Sequence, residues 1–380
     1  MAFDFAHPPE RRGSDSVKWG RYAGRDVLPL WVADMDFAAP PAVLAALHRR
    51  VDHGVFGYGD VPDSLVDVVV ESLARDHAWH VDPQWIVWLP GLVTGLNVVC
   101  RAVGEPGDAV LTATPIYPPF LSAPRLSARD VITVDLVNVD NRWQWDLARL
   151  EAAITPRTRL LMLCNPHNPV GRAFSRAELA GIAEIAERHD LIICSDEIHC
   201  GLVLDDRTQH VPIAALGGNV ADRCVTLMAP SKTWNIPGLG CSFAIVGNPA
   251  LRRRLHEAMR GIVPHVNVLG FAATEAAYRE GGAWREALLA YLRGNARCVF
   301  DAVARMPGLS SWPVEATYLA WIDARGLGVE HPIRFFEQAG VGLSDGADFG
   351  APGFVRLNFG CSRSTLEDAL ARMGRAIGNS

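Results

Sequence analysis

Three short apolar runs in the middle of the chain each end on residues that can do chemistry. Leu160–Cys164 leads into Asn165-Pro166-His167-Asn168-Pro169, Leu191–Ser195 into Asp196-Glu197, and Val225–Met228 into Ala229-Pro230-Ser231-Lys232. Ligands of open α/β sheets gather beyond the carboxyl ends of the strands, so an amide, a carboxylate and a lysine would converge on one edge. Pyridoxal 5′-phosphate (PLP) needs such a set: an amine for the imine, a carboxylate to hold the pyridinium proton, and a donor to the phenolic oxygen. Lys232, Asp196 and Asn168 fit these roles in that order. Taken singly, each has a plainer use as a surface charge, a helix N-cap or a turn residue. Their shared placement is what points to a site.

The cofactor's phosphate would need backbone donors at a helix start. Ile86–Leu89 passes through Pro90-Gly91 into an apolar helical stretch, Leu92 to Val99. Gly91, Leu92 and Val93 would then present free N–H groups with the helix dipole behind them, with hydroxyls available from Thr94 and Ser231.

Positioning these residues calls for a sheet. Ala109–Ala113, Val131–Val134 and Ser242–Val246 join the four runs above as candidate strands, separated by amphipathic stretches. That rhythm predicts a largely parallel sheet with crossover helices. Ser175 and Glu178 form a capping box before Leu179, Ile182, Ala183 and Ala186, which predicts a helix ending near His189-Asp190. After Gly281-Gly282 the pattern changes to a long helix, Trp284 to Met306, and then to short strands around Tyr318–Ile322 and Phe354–Asn358. The fold class is therefore α/β: a large domain with a mostly parallel sheet flanked by helices, at 46–282, and a smaller α+β domain from both termini. The smaller domain takes 283–380 and part of an N-terminal arm, 1–45, which should pack against the C-terminal region.

With 380 residues, 49% of them hydrophobic, the chain can bury a large core, and its net charge of -6 comes with no basic run that would track nucleic acid. No stretch of about 18 apolar residues suggests a membrane span, and Met1 to Arg12 is polar. A soluble, cytoplasmic protein is expected. The eight cysteines include no C-x-x-C pair and read as reduced, buried thiols. His77 and His80 lack a third ligand of suitable spacing, so no metal is expected. No G-x-G-x-x-G follows an early strand, which disfavours a dinucleotide enzyme.

The strings N-P-H-N-P-V-G-R (165–172), S-D-E-I-H (195–199) and S-K-T-W-N-I-P-G-L (231–239) resemble the aminotransferase class I/II family of fold-type I PLP enzymes. L-W-V-A-D-M-D-F (30–37), F-G-Y-G (56–59), T-Y-L-A-W-I-D (317–323) and V-R-L-N-F-G-C-S-R (355–363) are similar to its branch of MalY/PatB-like cystathionine β-lyases. The resemblance covers nearly the whole chain. It implies an aspartate aminotransferase-like fold, with PLP held as a Schiff base on Lys232, and a homodimer with sites at the subunit interface. Tyr117 should stack on the pyridine ring, Ile198 pack behind it, and His199 stand where many aminotransferases carry a tyrosine bonded to the phenolic oxygen. Tyr58 should reach the phosphate of the neighbouring subunit's cofactor, with Asn267 a further contact there. Arg356 should clamp the α-carboxylate of an amino-acid substrate, helped by Asn168 and by the backbone of Ala33 or Asp34.

The activity so implied is β-elimination from cystathionine or a related S-substituted cysteine, giving pyruvate, ammonia and a thiol. Lys232 would act as general base and then protonate the sulfur, with Tyr58 as second donor. Transamination of a small amino acid is the alternative, and binding of a transcription factor beside catalysis is a second. Gly240 stands where many aminotransferases place a phosphate-binding arginine, which favours the lyase, whereas Gly201 replaces an acidic residue expected in the lyase branch.

Overall fold

The structure, a computed structural model, describes residues 3–378. Its centre is a seven-stranded sheet: β1 (Ile86–Leu89), β2 (Ala109–Thr114), β3 (Asp130–Asp135), β4 (Thr158–Cys164), β5 (Ile192–Asp196), β6 (Cys224–Met228) and β7 (Ser242–Ile245). The spatial order is β1-β7-β6-β5-β4-β2-β3, and β7 runs antiparallel to both its neighbours while the remaining pairs are parallel. All seven predicted strands are present.

The central strands are apolar throughout because both faces are covered. In β4, Leu161 and Leu163 pack into one core while Leu160, Met162 and Cys164 pack into the other, as the two-residue period of a strand requires. The first core is closed by α1 (Asp63–His77) and α4 (Arg176–Arg188), the second by α2 (Leu92–Ala102), α3 (Pro119–Leu126) and α5 (Pro249–Met259). The Ser175–Glu178 capping box starts α4 as predicted, and Leu179, Ile182, Ala183 and Ala186 are all buried. The crossovers place the carboxyl ends of β4, β5 and β6 side by side.

A third core joins the two ends of the chain. After α6 (Val268–Glu280), the long helix α7 spans Gly282–Val303, beginning just before the predicted Trp284 and ending just short of the predicted Met306; the chain then turns through Gly308 at φ 82°. A short helix, α8 (Pro332–Gln338), lies between the strands that follow. Those strands, β8 (Ser310–Ser311), β9 (Leu319–Asp323), β10 (Ser344–Asp345) and β11 (Phe354–Asn358), form an antiparallel sheet in the order β8-β9-β11-β10. The N-terminal arm is bound to this region: Leu28–Pro29 pairs in parallel with Val341–Gly342, and Phe5 meets Trp284 edge-on. All eight cysteines are free thiols, but Cys200 and Cys298 are only half-buried. Among the described residues no helix is long and apolar enough to cross a membrane.

Candidate active site

The register brings Cys164 opposite Asp196 and Asp196 opposite Leu227, so the three strand ends share one edge. A cavity of about 780 Å³ opens there, between this edge, the start of α2 and the second sheet. Lys232, Asp196 and Asn168 all line it.

Asp196 is buried and accepts one hydrogen bond, from the Ile198 N–H at 3.0 Å. Burial pushes its carboxyl up to about 7, against the pull of that N–H and of the Lys232 charge. A carboxyl so short of donors suits a cationic ring N–H. Lys232 Nζ donates to the Ala33 carbonyl at 2.5 Å. Burial lowers its ammonium to about 8; the Arg356 charge acts the same way, and Asp34 opposes both. The amine is thus within reach of losing its proton near neutrality.

Arg356 comes from the middle of β11 and is buried. Its Nη1 donates to Asn168 Oδ1 at 2.9 Å, and its Nη2 to the Trp31 carbonyl at 2.9 Å and Ser344 Oγ at 3.2 Å. The guanidinium lies 4.7 Å over the Phe349 ring, and its Nε has no partner. Burial lowers it to about 10, so it stays charged. Because Asn168 accepts through its oxygen, its amide N–H groups remain for an acceptor in the cavity. His199 is buried, and burial holds its imidazole well below the ordinary range, with Lys232 and Arg356 adding to the effect. It is therefore neutral, and its Nδ1 has no partner. Two buried polar nitrogens left open beside the cavity are what a site built around a polar ligand leaves behind.

Gly91 caps α2 in an extended conformation, φ 177°, and a Cβ added there would meet nothing within 4 Å. The glycine leaves open space above the first-turn N–H groups of Leu92, Val93 and Thr94, a suitable place for an anion. Ser231, Tyr117 and Ile198 also line the cavity, and burial raises the Tyr117 hydroxyl.

Some expectations change. Asp34 does not line the cavity: its N–H donates to the Val32 carbonyl, its carbonyl accepts from Lys18 and Asn358, and its carboxylate pairs with Arg11 at 2.7 Å. With these groups engaged, it has no backbone contact to offer a substrate. Ala33 does line the cavity, but its carbonyl is taken by Lys232 and Tyr318, which leaves only its N–H. Tyr58 is fully exposed and outside this chain's own cavity. Asn267 caps α6 through the Gly270 N–H and donates to the Leu239 carbonyl.

Tyr318, fully buried and outside the cavity lining, supports the site by donating its hydroxyl to Ala33 O at 2.9 Å; the T-Y-L-A-W-I-D string is the available signal for it. His77 and His80 do not act together: His80 is exposed, and the His77 ring stacks edge-on against His210, which bonds Glu197 at 2.8 Å. Both unusual glycines have local causes. Gly240 sits at φ 56° with Pro90 O 3.1 Å from where its Cβ would lie, which disfavours an arginine there. At Gly201 a Cβ would fall 2.6 Å from Thr233 Oγ1.

Residues 25–373 match the family described as aminotransferase class I and II. The chain belongs to that family. This family member is 36% identical to cystathionine β-lyase PatB of Bacillus subtilis (strain 168), over 98% of this chain and all of PatB. It is 48% identical to a solved structure of OvoB, with a TM-score of 0.98 and 100% of both chains covered. It is 32% identical to cystalysin from Treponema denticola, TM-score 0.95, with 100% of both chains covered, in a structure containing a pyridoxal 5′-phosphate cofactor.

Proposed function

We propose that this protein is a PLP-dependent carbon–sulfur β-lyase acting on cystathionine or a related S-substituted cysteine. The observation that carries the reading is the meeting, in one cavity, of a lysine lowered to about 8, a donor-poor buried carboxyl and a buried arginine. Full-length likeness to PatB and to cystalysin supports it.

Lys232 would hold the cofactor, Asp196 its ring nitrogen, Asn168 and His199 its phenolic oxygen, Tyr117 and Ile198 its two faces, and the start of α2 with Ser231 its phosphate. When bound, PLP supplies an aldehyde for imine formation and an electron-poor ring that takes up the electron pair left at the substrate α-carbon. Arg356 holds the substrate carboxylate through its two outer nitrogens, a planar task suited to guanidinium, and the Ala33 N–H adds a donor. Lys232 would take the α-proton as general base and, as ammonium, would return a proton to the departing sulfur. Its hydrogen bond to Ala33 O would orient the freed amine. Gly240 in place of an arginine supports elimination over transamination.

A homodimer completes the reading. Residues 51–58 are exposed along their length, with Val51, Val55, Phe56 and Tyr58 among the exposed apolar side chains. Tyr58 would reach the cofactor phosphate of a second copy and serve as the second proton donor.

Two measurements test the function. Purified protein with PLP should show the absorbance band of a lysine-bound cofactor, lost in Lys232→Ala. The loaded enzyme should release pyruvate and a free thiol from cystathionine; keto-acid formation from alanine without thiol release would replace the lyase with a transaminase.

A further inference from the structure

Asp196 does not end its strand alone. Glu197 follows it directly, and the two carboxyls face opposite ways: Asp196 lines the cavity, whereas Glu197 turns to the other side with Ser195, as alternation along a strand requires. Glu197 is fully buried, and the chemistry above does not use it. Three groups converge on its carboxylate. Ser195 Oγ donates to Oε1 at 2.8 Å, the Ile213 N–H donates to the same oxygen at 3.2 Å, and His210 Nε2 bonds Oε2 at 2.8 Å. The backbone is held as firmly: Glu197 N–H donates to the Leu227 carbonyl at 2.8 Å, and the Asn165 N–H donates to Asp196 O at 2.9 Å. The ends of β4 and β6 thus clasp the Asp196-Glu197 step from both sides.

Among the described residues no lysine or arginine pairs with Glu197. Arg285, the cation that acts on neighbouring His77, is itself paired with Asp76 at 3.1 Å. His210 Nδ1 is buried without a partner, so that imidazole needs a single N–H, the one Glu197 receives. The His77 ring meets His210 edge-on, and burial holds it down at about 4. The carboxylate is therefore well bonded and not offset by a cation. Two consecutive carboxyls in so dry a setting resist ionising together. Burial leads in raising Asp196 to about 7, and the Glu197 charge acts in the same direction. A cation set against Asp196 is attracted by both charges and ends the conflict.

We infer that Glu197 is a positioning residue that acts through Asp196: its fixed, buried charge makes the two consecutive carboxyls hold a protonated ring nitrogen more tightly than Asp196 alone would. This rests on the reading that Asp196 faces the ring nitrogen of PLP. At an effective dielectric of about 20, a charge one strand residue further back is worth about tenfold in affinity for such a cation.

The test compares two probes on the apoprotein at about pH 8, where Asp196 has lost its proton. One is PLP; the other is 1-deazapyridoxal 5′-phosphate, which has a C–H in place of the ring nitrogen and carries no ring proton. Dissociation constants are read by absorbance titration for wild type, Glu197→Gln, Glu197→Asp and Asp196→Asn. Glu197→Gln should weaken PLP by about tenfold and leave the deaza compound within about twofold. Glu197→Asp keeps the charge and should keep the ratio of the two constants within about twofold. Glu197→Met with His210→Leu removes both partners together and carries the same expectation as Glu197→Gln, should the single variant not fold. A residue that merely supports the strand would move both probes alike, so equal weakening of the two, or no weakening of PLP, would overturn the proposal. Asp196→Asn should also weaken PLP selectively, and by more. Unchanged PLP affinity in that variant would remove Asp196 from the ring nitrogen and this proposal with it.

Discussion

Replacing Asp196 by asparagine should stabilise the cofactor-free protein, and only above mildly acidic pH. The carboxyl is buried with one donor and sits at about 7 instead of its ordinary 3.8. In the unfolded chain it is ionised from about pH 4 upward, whereas in the folded apoprotein it keeps its proton until about 7. Across that interval the folded state binds more protons, so stability falls as pH rises. At about 1.4 kcal/mol for each pH unit, the full cost above pH 7 is about 4 kcal/mol, and about 2–3 kcal/mol of it accrues between pH 5 and 7. Below the ordinary carboxyl range both states are protonated and the cost vanishes. The Asp196→Asn variant lacks the titration, so its stability relative to wild type should climb from pH 5 to 7 and then level off. Urea denaturation of both apoproteins at half-unit pH intervals reads this directly. A gap that stays constant across the range would refute the reasoning, because it would mean that the carboxyl finds donors in the folded state that the geometry does not contain. With PLP bound the order should reverse, since a neutral amide cannot hold the ring proton, and the variant's cofactor affinity should fall.

Three further outcomes follow from particular contacts. Arg356→Lys keeps the charge but gives up the planar fork that meets Asn168 and Trp31, so KM for amino-acid substrates should rise by roughly 10- to 100-fold, with a smaller change in kcat, in steady-state assays. Gly201→Asp should cost about 1–3 kcal/mol in denaturant unfolding, because the new Cβ enters the space of Thr233, and adding Thr233→Ala should recover part of that loss. Tyr318→Phe removes the hydroxyl from Ala33 O and should cost about 1 kcal/mol of stability in urea unfolding, while Lys232 keeps the same carbonyl as its acceptor.

Much of the large sheet was legible because its strands are covered on both faces and read as unbroken apolar runs, as at Leu160–Cys164. Lys232, Asp196 and Asn168 were legible for a related reason: each follows such a run by a few residues, and adjacent strand ends are adjacent in space. Contacts set by the closing of the chain on itself were not legible. Tyr318 and Ala33 are 285 positions apart, and nothing local to either announces a hydroxyl on a carbonyl. Asp34 lies in an arm without periodicity, so it read as a backbone contact to substrate although its N–H and carbonyl are already engaged by Val32, Lys18 and Asn358. The value of Gly201 depends on Thr233, a packing relation that the lone glycine does not disclose.

The segment from Trp31 to Met35 has one more consequence. Its carbonyls are held by Lys18 and Arg11 from the arm, Asn235 and Lys232 from the middle, and Tyr318, Arg356 and Asn358 from near the end. During synthesis Lys232 leaves the ribosome more than a hundred residues before Arg356 does. A growing chain can thus build most of the central sheet while the reactive lysine still lacks the neighbours that set its place. Competence arrives late, when the carboxyl-terminal strands emerge and close over an amino-terminal loop made long before them. A polypeptide truncated before residue 318 should lack all three carboxyl-terminal donors to this loop, and with them a working amine.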